Sequence, residues 1–169
     1  MKKSFGLFLL IMGIIVCLIY SCDRDQVKDV DARFVGNDVV EDMEGLWVEV
    51  SLKEEGHKVI VREDNEVIRE MICSGGTPDE PTVLGTFTLQ NRGEWFYSER
   101  FKEGATHWVR ITEQYLFHGI PRTKDWEIIQ EEQDKLGGPA SHGCIRLGEE
   151  DAKWFYDHVP DGTTVVIHD

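Results

Sequence analysis

Basic side chains are scarce in this chain: 18 Lys and Arg stand against 32 Asp and Glu, a formal net charge of −14. A surface of that sign repels phosphate backbones and anionic headgroups, so neither nucleic acid nor a lipid surface is an expected partner. Solubility alone accounts for the excess of acid. Long apolar runs are also scarce, with one from Phe5 to Tyr20 and no second of that length. Cysteine is limited to four residues, and Cys17 and Cys22 belong to the N-terminal segment. Cys73 and Cys144 remain for the folded part, too few for a disulfide framework. Internal repeats are absent. His118, His142 and Cys144 could be gathered around a metal, but no fourth ligand stands at metal-like spacing, so neither metal nor cofactor is expected.

What is present begins with Lys2-Lys3, the apolar run, and Ser21-Cys22, with no acid before Asp23. That order reads as an export signal over residues 1–21. The run is shorter than the ~20 residues of a spanning helix, which favours cleavage over retention. Ile19-Tyr20-Ser21-Cys22 resembles a bacterial lipoprotein processing site, in which Cys22 is lipidated and becomes the new N-terminus. Tyr20 departs from the small or aliphatic residue usual there, so an uncleaved signal anchor and plain secretion stay open. All three place the chain outside the cytoplasm, with membrane contact only through the N-terminal anchor. Residues 22–45 are acid-rich and aperiodic and read as a tether.

From Leu46 the pattern becomes alternation, with Leu46, Val48, Val50 and Leu52 on one face, the mark of a half-buried strand. Glu54-Glu55-Gly56 and Asp64-Asn65 turn the chain into second and third strands at 58–62 and 67–73. Gly85 to Leu89, the surroundings of Tyr97, His107 to Ile111 and Tyr115 to His118 follow as short strands. The class is mainly β, a largely antiparallel sandwich or barrel. Two short helices interrupt it, Trp126 to Leu136 and Glu149 to Val159. The second has acids in its first turn and the stripe Ala152, Phe155, Tyr156, Val159. Pro160 ends it, and Thr163 to Ile167 forms a closing strand. Trp95, Phe96, Tyr97 and Trp108 suit core packing first and a sugar or peptide groove second.

Ser141-His142-Gly143-Cys144-Ile145-Arg146-Leu147, entered from Gly137-Gly138-Pro139, carries the chemistry. Cysteine usually packs, but flanking glycines let backbone N–H groups approach a bound carbonyl. Cys144 therefore reads as a nucleophile on a tight turn, the thiol of an acyl transfer. A free thiol is only about 3 % ionised at pH 7 and needs a base. In an extended stretch the Cα atoms of His142 and Cys144 lie roughly 6.5 Å apart along the chain. A histidine on a neighbouring strand can instead aim its ring at the sulfur. His118, ending the strand Tyr115-Leu116-Phe117 before Gly119, is assigned as base, and His142 as a structural or oxyanion-side residue. A core histidine satisfied by a carbonyl is the plain alternative for His118.

Leu116-Phe117-His118-Gly119 followed by Ser141-His142-Gly143-Cys144-Ile145-Arg146 resembles the catalytic signature of the L,D-transpeptidases of the YkuD type. Ser74-Gly75-Gly76 and Pro81-Thr82-Val83-Leu84-Gly85-Thr86-Phe87 resemble the family's Gly-rich and TP-x-G-x-F region, with Val83-Leu84 in place of a shorter spacer. Residues 151–156 and 162–167 resemble its closing helix and strand. The resemblance covers residues 46–169. It implies a β-rich catalytic domain acting as a monomer on peptidoglycan stem peptides, a donor tetrapeptide and an acceptor amine, at the cell wall. Cys144 would attack the third stem residue, expel terminal D-alanine and pass the acyl group to an amine as a 3→3 cross-link, or to water as a carboxypeptidase. His118 would take the thiol proton, its other ring nitrogen bonding a carbonyl near Gly119. His142 and Gly143 would lie on the oxyanion side, with the N–H groups of Gly143 and Cys144 as donors. Arg146, Ser141 and Gly119 would border the substrate, Arg146 either orienting backbone carbonyls or meeting a substrate carboxylate. The 120–138 stretch is longer than the minimal motif, as a flap or as a surface excursion. A different cysteine hydrolase of the same polymer and a non-catalytic wall-binding protein are the competing readings, and a Cys73–Cys144 bridge is a further possibility.

Overall fold

The computed structural model describes residues 43–64 and 66–169. The expected signal, the lipidation site Cys22 and nearly all of the tether lie outside the described residues. Nine strands form one curled sheet: β1 (Leu46–Lys53), β2 (Gly56–Glu63), β3 (Glu66–Ser74), β4 (Gly85–Thr88), β5 (Arg92–Ser98), β6 (Glu103–Thr112), β7 (Tyr115–His118), β8 (Ile145–Leu147) and β9 (Thr164–His168). Their spatial order is β4-β9-β1-β2-β3-β8-β7-β6-β5. Past the end of β4, Gln90 donates to Arg110 O and Arg110 to Asn91 O, each at 2.9 Å. These bonds tie the β4 edge to β6 and draw the sheet round on itself.

On the face predicted to be apolar, Val48 and Val50 of β1 are fully buried, and so are Val59 and Val61 opposite them on β2. Trp47 and Glu49 on the other face are buried as well, so β1, flanked by β9 and β2, is covered on both faces at its centre rather than half-buried. Two pairings are parallel rather than antiparallel, β1 with β9 and β7 with β8. Both need a crossover, and the helix α2 (Glu149–His158) lies between β8 and β9. Its Ala152 and Phe155 are buried, and the Phe155 ring packs on Phe117 of β7 with centroids 4.4 Å apart. Arg92 finishes the helix by donating to the carbonyls of Tyr156 and Val159 (2.7 Å for the latter), meeting acceptors that a helix end leaves without partners.

The first predicted helix is much shorter than expected: only Gln130–Gln133, here α1, is helical. Arg122 bridges Ile128, and Trp126 takes a left-handed φ of 64°, so the residues before α1 are used in a tight turn. α1 buries no side chain, and a helix without a packed face rarely extends far in water. β8 lies where the sequence pointed only to a turn running into a helix. Three residues, all buried, are too few to show a period.

Candidate active site

In the parallel β7–β8 ladder, Phe117 faces Ile145 and His118 faces Arg146. Side chains two residues apart share a face of a strand. Leu116 and His118 therefore lie on one side with Cys144, just before β8, and Arg146. The ladder thus brings His118 and Cys144, 26 positions apart in sequence, to one wall, and both line a cleft of about 730 Å³. Phe96, Tyr115 and Phe101 give this cleft apolar surface, and Gln114, Glu80 and Arg100 give it polar rims.

His118 is buried. Its Nδ1 lies 2.7 Å from Gly119 O, and Phe96 meets its ring edge-on at 5.6 Å. A carbonyl only accepts, so Nδ1 carries the proton and Nε2 keeps its lone pair. Burial lowers the imidazole to about 4; the Gly119 bond works the other way and the Arg146 charge adds to the lowering. Cys144 is half-buried, with Sγ 3.6 Å from Gln114 O. Burial pushes its thiol up, while the Leu116 N–H and the charges of Arg146 and Arg110 pull it down. The cleft therefore holds a resting thiol and a neutral imidazole on one wall. Such a pair requires proton transfer in the attack itself.

The turn before Cys144 is built by Ser141. Its Oγ donates to Cys144 O at 2.6 Å and accepts the Gly143 N–H at 3.0 Å. Ser141, expected to border the substrate, does line the cleft but spends its hydroxyl inside the turn. The Gly143 N–H, expected as an oxyanion donor, is likewise committed to Ser141. What Gly143 contributes is shape: its φ is 106°, and an added Cβ would stand 2.6 Å from the Tyr115 ring. The Gly-rich stretch supports the turn from below, since Ala140 and Ser141 both donate to Gly75 O at 2.9 Å and Thr77 donates to Ser141 O. His142 stands at the rim, stacked on Phe101 at 4.4 Å with Nε2 3.6 Å from Glu80.

Arg146 is buried. Its Nη1 donates to Ala140 O at 3.0 Å and to Glu132 Oε2, and its Nη2 lies 3.8 Å from Glu103. It orients backbone and anchors the 120–138 stretch rather than standing free at the surface. Ser74 Oγ donating to Lys135 O, and His57 N–H to Gly137 O at 3.0 Å, fasten the same stretch to β3 and β2. The stretch is a strapped excursion, and of its residues only Pro121 reaches the cleft.

Glu149 escaped the sequence reading. Its carboxylate accepts from Ile120 N–H at 2.9 Å, Arg122 Nη2 at 2.6 Å and Thr106 Oγ1 at 3.3 Å. A Cβ on Gly119 would lie 2.7 Å from that carboxylate, so Gly119 is small to let Glu149 hold the backbone that fixes His118. The only sequence signal was an acid at the first position of a helix, which the dipole already explains. Cys73 is fully buried opposite Leu147, three residues beyond Cys144 and about 10 Å further along the strand. Disulfide geometry does not reach so far, and both thiols are free. Among the described residues no group of three His, Cys, Asp or Glu side chains converges as a metal site.

The family model of the YkuD L,D-transpeptidase catalytic domain matches residues 45–167. YciB of Bacillus subtilis (strain 168), provisionally named an L,D-transpeptidase, is 45 % identical over 128 residues, which cover 72 % of this chain and 65 % of YciB. L,D-transpeptidase 2 of Mycobacterium tuberculosis is 26 % identical over 63 % of this chain and 28 % of its own length. The chain thus spans less than two thirds of either relative. Among solved structures, an L,D-transpeptidase from Mycobacterium smegmatis superposes with a TM-score of 0.60 at 26 % identity, over 74 % of this chain and 60 % of that one. With the sheet, the histidine–cysteine wall and the family match in agreement, the chain belongs to the YkuD family of L,D-transpeptidase catalytic domains.

Proposed function

We propose that the protein is a peptidoglycan L,D-transpeptidase that works through a thioester on Cys144. His118 Nε2 takes the thiol proton as Sγ bonds to the carbonyl carbon of the third stem residue. The C–N bond to terminal D-alanine breaks, and the proton goes to the departing amine. An acceptor amine then attacks the thioester, His118 removes its proton, and the thiol is restored as the 3→3 amide forms. Water in place of the amine gives the carboxypeptidase outcome.

The observation that carries this reading is the His118 Nδ1 bond to Gly119 O at 2.7 Å, which leaves a neutral, basic nitrogen on the cleft shared with Cys144. With the Gly143 N–H engaged, the oxyanion falls to the Cys144 N–H, presented by a turn that Gly143 alone can form. One such donor is worth about 2.7–4 kcal/mol in the transition state. His142 and Phe101 form a rim for the peptide backbone. Export and membrane attachment through Cys22, or through the uncleaved signal, would place the domain against the cell wall, as the sequence from Lys2 to Cys22 supports. The test is incubation with disaccharide-tetrapeptide and product analysis by mass spectrometry. Loss of D-alanine together with a dimer supports transfer, loss without a dimer assigns hydrolysis, and no loss rejects both.

A further inference from the structure

A second cleft, of about 500 Å³, is walled by Trp95, Trp126, His107 and Glu94 with Lys153 and Asp157. Trp95 and Phe96 are consecutive on β5, and consecutive strand residues face opposite ways. Phe96 faces His118 in the first cleft, so the second cleft lies on the other side of the β5–β6 ribbon, away from Cys144. We propose that this cleft binds a sugar ring of the glycan, stacked on the Trp95–Trp126 pair.

Three observations lead there. The indoles of Trp95 and Trp126 meet edge to face at 5.3 Å and remain 60 % and 38 % exposed, an unusual amount of indole to leave in water. Strain is concentrated at the same place. Among the described residues five non-glycine residues have positive φ, and two of them, His107 (53°) and Trp126 (64°), wall this cleft. Strained backbone of this kind persists where the surroundings hold it, often at binding sites. Trp126 is held in its turn by Arg122 Nη1 donating to its carbonyl at 2.8 Å. The ladder pairs Gly93 with Trp108 and Trp95 with Thr106 but omits Glu94 and His107, and His107 Nδ1 is buried without a partner.

The polar groups decide the ligand class. Glu94 and Asp157 accept, Lys153 donates and bonds Asp157 at 2.5 Å, and His107 can do either. An amine would call for acceptors only and an anion for donors only. A ring whose hydroxyls both donate and accept, and whose C–H face is apolar, matches mixed polar groups around two indoles. That the sugar belongs to peptidoglycan rests on the function proposed above; that the cleft takes a sugar does not.

The experiment titrates full-length protein with peptide-free N-acetylglucosamine tetramer and reads tryptophan fluorescence and heat. Saturable binding is expected, unchanged in Cys144→Ala and weakened at least tenfold in both Trp95→Ala and Trp126→Phe. The exposed Trp95 can be truncated without opening the core. Absence of saturable binding, full binding by both tryptophan variants, or tighter binding of lysine methyl ester than of the sugar would overturn the proposal. In a second arm, Trp95→Ala should release D-alanine from sugar-free tetrapeptide at the wild-type rate but from intact sacculi about tenfold more slowly. A wild-type rate on sacculi would contradict the glycan role. If the wild-type protein turns over neither substrate, the proposed function fails and the titration alone decides the cleft.

Discussion

His118 and Arg146 face each other across the parallel β7–β8 ladder, the histidine fixed by the Gly119 carbonyl at 2.7 Å and the arginine by the Ala140 carbonyl at 3.0 Å. A permanent cation beside a buried imidazole disfavours imidazolium and eases formation of thiolate on Cys144. The same guanidinium reaches Glu132 of the inserted stretch. One side chain therefore adds to the lowering of His118 that burial begins and straps down the excursion beside it.

This balance has a pH signature. The His118 imidazole is lowered by burial to about 4 in the folded protein, against ~6.5 when unfolded. Between those values the unfolded chain binds more protons, so the stability associated with neutral His118 is complete above about pH 6.5 and is lost as pH falls toward 4. The loss amounts to about 3 kcal/mol. Denaturant titrations from pH 7 to 4 should show it in the wild type and not in His118→Gln. The acid limb of kcat/KM should accordingly fall below pH 5 instead of near 6.5.

Removing Glu149 should release the backbone behind His118. Glu149→Ala leaves Ile120 N–H and Arg122 without their shared acceptor and is expected to cost about 2–3 kcal/mol in chemical denaturation. Because Glu149 acts by positioning, Glu149→Gln, which keeps an acceptor, should recover much of kcat.

At Gly143 a single methyl group meets two obstacles, the left-handed φ of 106° and the Tyr115 ring at 2.6 Å. Gly143→Ala should destabilise the protein by about 2–4 kcal/mol and reduce turnover at least a hundredfold. Adding Tyr115→Ala removes the clash but not the dihedral strain, so melting temperature should recover further than activity does.

The two thiols should differ sharply. Cys144 lines the open cleft, whereas Cys73 is fully buried, with its thiol pushed far up by that burial. Alkylation followed by peptide mapping should find Cys144 modified in the native protein and Cys73 only after denaturation. Equal modification of both in the native state would contradict the packing of β3 against β8.

Much of this was legible in the residues. Alternation marked β1 because one of its faces is lined by aliphatic residues, although Trp47 and Glu49 on the other face are buried too. The stripe from Ala152 to Val159 marked α2 because that helix buries one face only. Cys144 and His118 could be paired because a strand ending in histidine and a glycine-flanked cysteine are each informative. What could not be read depends on tertiary contact. β8 is too short to display a period, β5 buries no residue and so has no apolar face to display, and α1 stops where no packed face sustains it. Glu149 resembled an ordinary acid at a helix start, and only the fold brings Ile120 and Arg122 to it. The turn assigned to Gly143 was right in place, but its N–H is taken up by Ser141, a bond that depends on a rotamer.

The central claim, that Cys144 takes the acyl group with His118 as base, is tested most directly by intact-protein mass spectrometry during turnover of disaccharide-tetrapeptide. The account predicts one adduct per chain, equal to the substrate mass less D-alanine, mapped to Cys144, absent from Cys144→Ala and formed at least a hundredfold more slowly in His118→Ala. An adduct mapped to any other residue, or full D-alanine release by Cys144→Ala, would contradict it.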